Sequence, residues 1–148
     1  MKRHYIVLIK EFRPVPPVTV DRHKTLQILF NLLENAKHAC LQTSGRQHEV
    51  RVTLHLCEGD RFELAVADNG MGISAENLPR IFDQGFSTRR DGHGFGLHSS
   101  ILMAQDMGGT LTVQSAGPDQ GACFTLRLPL RAPKPVAHAS VGISKATT

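Results

Sequence analysis

The chain is poor in aromatic side chains: of 148 residues, seven are Phe, one is Tyr and none is Trp. A platform that stacks single-stranded bases needs several such rings on one face, so the shortage argues against that function. Cysteine is scarce too. Cys40, Cys57 and Cys123 are odd in number and show no CxxC spacing. That excludes a disulfide framework and a zinc site, and it leaves buried thiols acting as small hydrophobes in a reducing compartment. No apolar run approaches the ~20 residues of a membrane helix, and the stretch from Met1 lacks the length and cleavage site of a signal peptide. The domain is expected to be cytoplasmic and to touch no membrane directly, as part of a longer parent that could itself be membrane-bound. The formal charge of +4 invites a nucleic-acid reading, but the positive excess sits at the two ends. Residues 14–130 carry 10 basic and 12 acidic groups, whereas a duplex binder places its charge on the folded face that meets phosphate. Nucleic acid is not expected as a partner.

The length suits one domain, expected over residues 1–130. Residues 131–148, rich in Pro, Ala, Ser and Lys, read as a flexible tail or linker. Residues 4–12 form a β-branched run closed by prolines, hence a strand. Asp21 stands as the N-cap of a helix reaching about Leu41, with Leu26, Leu29, Phe30, Leu33, Ala36 and Cys40 as its sheet-facing stripe. Residues 49–57 and 61–68 alternate apolar and polar around Glu58-Gly59-Asp60, which predicts a hairpin. Residues 74–82 read as a short helix and 83–96 as a loop with four glycines. A helix over 97–107 follows, ended by Gly108-Gly109. Strands over 110–115 and 122–128 close the order, which predicts a mixed sheet with about three helices on one face, an α/β (α+β) sandwich.

Three segments carry chemistry. On the first helix Asn31, Glu34, Asn35 and His38 fall at i, i+3, i+4 and i+7. Asparagine is a mediocre helix former, and its amide oxygen suits a hard cation such as Mg²⁺. Next, Asp68-Asn69-Gly70-Met71-Gly72 follows an alternating strand. A carboxylate at a buried strand end is costly unless paired, and as a pure acceptor it suits an exocyclic amine such as that of adenine. The alternative is a plain Asn-Gly turn. Third, Gly92-His93-Gly94-Phe95-Gly96-Leu97 opens a helix, where free N–H groups attract phosphate. It follows a long loop and precedes hairpin strands, which disfavours a dinucleotide fold, and no Lys-Ser/Thr completes a P-loop.

The order of these segments resembles the N, G1, F and G2 boxes of the sensor histidine kinases: Asn31-Leu-Leu-Glu-Asn35-Ala-Lys-His-Ala39, Asp68-Asn-Gly-Met-Gly72, Ile81-Phe-Asp-Gln-Gly-Phe-Ser-Thr-Arg89, and Gly92-His-Gly-Phe-Gly-Leu97. Gly108-Gly109-Thr-Leu and the run from Gly121 to Pro129 resemble the closing strands of the same domain, so the likeness covers about residues 18–130. It implies a Bergerat-type sandwich, shared with the gyrase and MutL ATPases, with ATP between helices and sheet. By position, Asn35 would ligand Mg²⁺, with Asn31 and His38 nearby. Asp68 would bind the adenine amine, with Gly70, Met71, Gly72 and Ile73 passing close to the base. Phe82 and Phe86 would anchor a lid over residues 83–94, with Thr88 and the catalytic Arg89 near the terminal phosphate. Gly92, His93, Gly94, Phe95, Gly96 and Leu97 would face the phosphates, and Glu34 would have a part in proton handling.

Where the gyrase and MutL ATPases place a water-activating glutamate, four residues before the metal-binding Asn, this chain has Asn31. Transfer to a protein acceptor therefore fits better than hydrolysis. The implied activity moves the ATP γ-phosphoryl group to a histidine on an upstream dimerisation domain, with a response regulator as the next acceptor and a homodimeric parent. His48-Glu49 imitates an acceptor pair but begins a strand, which rules it out. The final strand lacks the usual hydroxyl near adenine and offers only Thr125. His93 and His98 are further candidates for phosphate, and His55 reads as a strand-surface residue. Two other readings stay open: a Bergerat ATPase or anti-sigma-type serine kinase, and a regulatory module that holds nucleotide without catalysis.

Overall fold

The structure, a computed structural model, describes residues 5–86 and 96–131. The element order is β1 (Ile6–Phe12), α1 (Arg22–Leu41), β2 (His48–Cys57), β3 (Arg61–Asp68), a 3-10 turn (Leu78–Arg80), α2 (Leu97–Asp106), β4 (Thr110–Gln114) and β5 (Ala122–Pro129). The five strands form one sheet in the order β1-β2-β3-β5-β4. β1 runs parallel to β2, and every other pairing is antiparallel. The mixed sheet expected from the hairpin signals is borne out. Helices α1 and α2 cover one face, as the alternating burial of β2, β3 and β5 requires.

Local chemistry explains the boundaries. The Asp21 side chain accepts the Lys24 amide hydrogen at 3.0 Å and caps α1. At the other end the Thr43 hydroxyl donates to the Cys40 carbonyl at 2.9 Å, and Gly45, with φ of 81°, turns the chain towards β2. The core lies between α1, α2 and the sheet, where Ile28, Leu32, Val66, Phe124, Leu126 and Leu128 are all but inaccessible.

Three expectations need correction. The short helix over 74–82 is a single 3-10 turn, so the described residues hold two α-helices and not three. Pro79 lacks an amide hydrogen, and the successive bonds from Arg80, Ile81 and Asp83 to Asn77, Leu78 and Arg80 all span three residues. The packed face of α1 is rotated from the expected stripe. Ile28, Leu32, Ala36, Ala39 and Cys40 are buried, whereas Leu26 and Phe30 are 52% and 57% exposed. Both stripes recur at helical spacing, and the crossing of α1 over the sheet decides between them. Finally, only Cys40 is fully buried, while Cys57 and Cys123 are partly exposed. An isolated bridge pairs Thr19 with Arg131; residues 132–148 lie outside the described residues.

Candidate functional site

β3 delivers Asp68 to the point where the sheet passes beneath the second half of α1. A cavity of about 220 Å³ opens there, lined by Asn35, His38 and Ala39 from α1, by Asp68, and by Met71, Gly72, Ile73 and Ser74 beyond it. Asn77, Ile81, Pro118 and Ala122 complete the wall. This is smaller than the ~300–1,000 Å³ of a pocket that swallows a whole ligand, so it suits a planar base with the rest of a ligand running outward.

Asp68 is the polar centre of this cavity. Its Oδ1 accepts the Gly70 amide hydrogen at 2.8 Å. Its Oδ2 is buried and has no hydrogen-bond partner by distance and angle among the described residues. Burial pushes the carboxyl up to about 6, against the opposing pull of the Gly70 and Ala122 backbone donors. Asp68 lines the cavity, and a desolvated carboxylate there is an acceptor suited to a hydrogen-bond donor. The exocyclic amine of adenine has that chemistry.

Asn69, left unassigned by sequence reasoning, holds Asp68 in place. Its side chain accepts from the Glu49 amide and donates to the Gln47 carbonyl, both at 2.8 Å, and so continues the β2–β3 ladder. Arg46, also unassigned, donates to the carbonyls of Asn69 at 3.0 Å and Asp119 at 3.1 Å. The signal available for Asn69 was its self-bonding side chain at a strand end; for Arg46 there was none, since its partners are distant in sequence.

The glycines are spent on close approach within the chain. A Cβ on Gly70 would sit 2.4 Å from the Ala39 carbonyl carbon, and one on Gly72 would sit 2.1 Å from the Gly117 carbonyl oxygen. Gly72 lines the cavity and Gly70 does not. Gly70→Ala should lower stability by about 2 kcal/mol or more, because the obstacle is α1 backbone and not a movable side chain; a urea melt superimposable on wild type would contradict this.

The helix stripe divides. Asn35 and His38 face the cavity, and the Asn35 side chain makes no hydrogen bond among the described residues. Asn31 faces α2. Its amide donates to the Ser100 hydroxyl at 2.9 Å and accepts from the Gln27 side chain at 3.1 Å. It is buried between the helices, outside the cavity lining. Glu34 is half-buried and does not line the cavity either.

Gly96 caps α2 with φ of 68°, and a Cβ there would sit 2.7 Å from Asn31 Nδ2. Leu97 is buried in the core. Phe82 packs edge-on against Phe124 with centroids 6.1 Å apart, and the Arg80 guanidinium lies 5.0 Å from the Phe86 ring centre. His98 reaches the Phe82 carbonyl at 3.0 Å rather than an open phosphate position. Thr88, Arg89, Gly92, His93, Gly94 and Phe95 lie outside the described residues.

Thr125 is a clear correction. Ala122, Phe124 and Leu126 point to the helices, so the period of two sends Thr125 to the opposite face of β5, where it meets Cys123 at 3.9 Å. It cannot supply a hydroxyl to the cavity. His55 lies on that outer face beside Glu63 at 3.2 Å, as expected of a strand-surface residue.

The family described as "Histidine kinase-, DNA gyrase B-, and HSP90-like ATPase" matches residues 20–132. The chain is 39% identical over 76% of its length to the sensor histidine kinase ZraS of Klebsiella oxytoca, covering 23% of that protein. It is 42% identical over 72% of its length to the two-component sensor PprA of Pseudomonas aeruginosa, covering 12% of it. The chain thus spans less than a quarter of these relatives. Among solved structures, the nucleotide-free catalytic domain of histidine kinase ThkA superposes with a TM-score of 0.72 at 25% identity, over 85% of this chain and 80% of that one. Full-length ShkA in complex with AMPPNP superposes with a TM-score of 0.71 at 28% identity, over 90% of this chain and 28% of that one. No helix among the described residues is long and apolar enough to cross a membrane. A sheet half-covered by two helices, a buried strand-end carboxylate lining a cavity and a family match over most of its length together place this chain in the histidine kinase-, DNA gyrase B- and HSP90-like ATPase family, as a nucleotide-binding catalytic domain of the sensor-histidine-kinase kind.

Proposed function

We propose that the cavity binds the adenine of ATP through Asp68, and that the chain presents the γ-phosphoryl group to a histidine of a separate dimerisation domain, from which a response regulator receives it. The observation that carries this reading is the buried Asp68 carboxylate, its Oδ2 without a partner among the described residues, in the lining of a cavity of base-like size. Asp68 binds and orients the base; Ile73, Ile81 and Ala122 shield its faces from water. Asn35, one turn before Ala39 on the same wall, offers a carboxamide oxygen to a hard cation.

The described residues hold no cluster of three His, Cys, Asp or Glu that could cage a metal by themselves. Mg²⁺ commonly takes one or two protein oxygens and leaves the remainder to water and phosphate, so a lone Asn35 fits it. When bound, the metal would neutralise phosphate charge. The buried position of Asn31, with its side chain committed to Ser100 and Gln27, supports transfer over hydrolysis: no carboxylate stands one turn before Asn35 to activate water.

The test is direct. The chain alone should bind ATP and form no stoichiometric phosphohistidine, and adding the cognate dimerisation domain should restore labelling. Steady phosphate release by the chain alone would favour an ATPase, and bound nucleotide without transfer to any added domain would favour a regulatory module. Asn35→Ala should abolish the Mg²⁺ dependence of ATP affinity while leaving affinity for adenosine within about twofold, a change below ~0.5 kcal/mol. Calorimetric titration with and without the metal decides it; a preserved Mg²⁺ effect would move the ligand elsewhere.

A further inference from the structure

Ser115 has no part in the assignments above and does not line the cavity. It follows β4, yet its hydroxyl meets four backbone groups, the Gly117 carbonyl at 3.4 Å being the most distant. It accepts the amide hydrogens of Ile73 at 3.0 Å and Gly117 at 3.3 Å, and it donates to the Gly121 carbonyl at 2.7 Å. Ile73 lines one wall of the cavity from the loop after β3, and Pro118 and Ala122 line another from the 115–121 turn and the start of β5. Asp68 lines the same cavity.

Other ties join these walls, but among the described residues none reaches Ile73. The Asp119 and Gly121 amides donate to the carbonyls of Met71 at 2.8 Å and Gly70 at 3.2 Å. The exposed Arg46 bonds back to Asn69 and Asp119. Beyond the second glycine the wall is held by the Ser115 hydroxyl. Close contact makes this feasible: Gly72, with φ of 70°, lies against the Gly117 carbonyl with no room for a Cβ.

We propose that Ser115 is a positioning residue for nucleotide binding, clamping the two walls at the separation that keeps water from Asp68 while leaving a slot for the base. The proposal rests on the nucleotide reading above. Removing the hydroxyl leaves the Ile73 amide and the Gly121 carbonyl without their partner, and both recover hydration if the walls part. Parting the walls widens the slot and admits water to the carboxylate in its lining. Two effects follow in Ser115→Ala. ATP affinity falls on the order of tenfold, the equivalent of one or two lost hydrogen bonds. The pH at which ATP binding is half lost also moves down, towards the range of an ordinary carboxylate.

A packing defect elsewhere would lower melting temperature without moving that midpoint, so the midpoint separates positioning from mere stability. The groups facing Asp68 are the thiols of Cys40 from α1 and Cys123 from β5, both pushed up by burial and so uncharged in this range, together with His38 of the same cavity. They are common to wild type and variant, and the readout is the difference between the two profiles. The experiment titrates ATP into the 148-residue chain and its Ser115→Ala variant from pH 5 to 8, alongside hydrogen exchange of the wild-type Ile73 amide. Weaker binding with a downshifted midpoint supports the clamp. Affinity within twofold of wild type, or a loss with the midpoint unmoved, overturns it. Should Ser115→Ala not fold, exchange at Ile73 decides: slow, and slower still with ATP, supports the clamp; fast in both states overturns it. Absent ATP binding by wild type overturns the nucleotide reading and the proposal with it. Equal binding by wild type and variant overturns the proposal alone.

Discussion

Asp68→Asn is expected to weaken ATP binding by about 100-fold and, in the same protein, to raise stability near neutral pH. Asparagine keeps an acceptor for the Gly70 amide but replaces the vacant oxygen with an NH₂ group. The slot then presents a donor to the donor amine of adenine, and a charge-assisted bond of about 1.5–3 kcal/mol is lost. Stability moves the other way because the wild-type carboxylate is desolvated. Its pKa lies at about 6 in the fold against an ordinary 3.8. Between those values the native state binds more protons than the unfolded one, so stability falls as pH rises through the window and stays lowered above it. The shift corresponds to about 3 kcal/mol. The variant should lose that slope and melt higher at pH 7.5. ATP affinity of wild type should weaken below about pH 6 as the carboxyl takes up its proton. Calorimetric titration and thermal melts across this range test both arms; unchanged affinity in the variant would remove Asp68 from the site.

Phe124→Ala should be the most destabilising of the core truncations, by about 3–5 kcal/mol. Phe124 is 1% exposed on β5, between β3 and β4. Its ring meets Phe82 edge-on, an arrangement worth ~0.5–1.5 kcal/mol beyond the area it buries. A single domain has about 5–15 kcal/mol of stability in all, so this one truncation consumes a large share. It also unseats Phe82, whose carbonyl holds the His98 ring, and so loosens the link between α2 and the segment after the 3-10 turn. Urea unfolding measures the loss, and Phe124→Leu, which refills most of the volume, should recover over half of it. A Phe124→Ala variant within about 1 kcal/mol of wild type would show that the core collapses around the gap.

Much of the scaffold was legible in the chain because its signals are local. The hairpin of β2 and β3 follows from strict alternation around Glu58-Gly59-Asp60, and the start of α1 follows from Asp21 and its capped amide. The short helix failed at Pro79, where a missing amide hydrogen let a 3-10 turn win over an α-helix. The cavity was legible in part. Asp68 and Asn35 stand out as polar groups where apolar ones would be cheaper. Thr125 was misplaced because a motif gives a position along a strand, while the face it occupies depends on which neighbours are buried.

Residue order alone was enough to determine the five strands and the two longer helices, the mixed sheet with its helices on one side and the two residues proposed for base and metal, since periodicity, capping and the cost of buried polar groups act over a few residues. Only the tertiary structure decided how α1 is rotated on the sheet, that Asn31 joins two helices instead of facing the cavity, and that Ser115 and Arg46 hold its walls. Those outcomes depend on contacts between segments far apart in the chain, such as Asn31 with Ser100 and Ile73 with Ser115. No local preference encodes them, because each partner acquires its role only when the fold brings the other within reach.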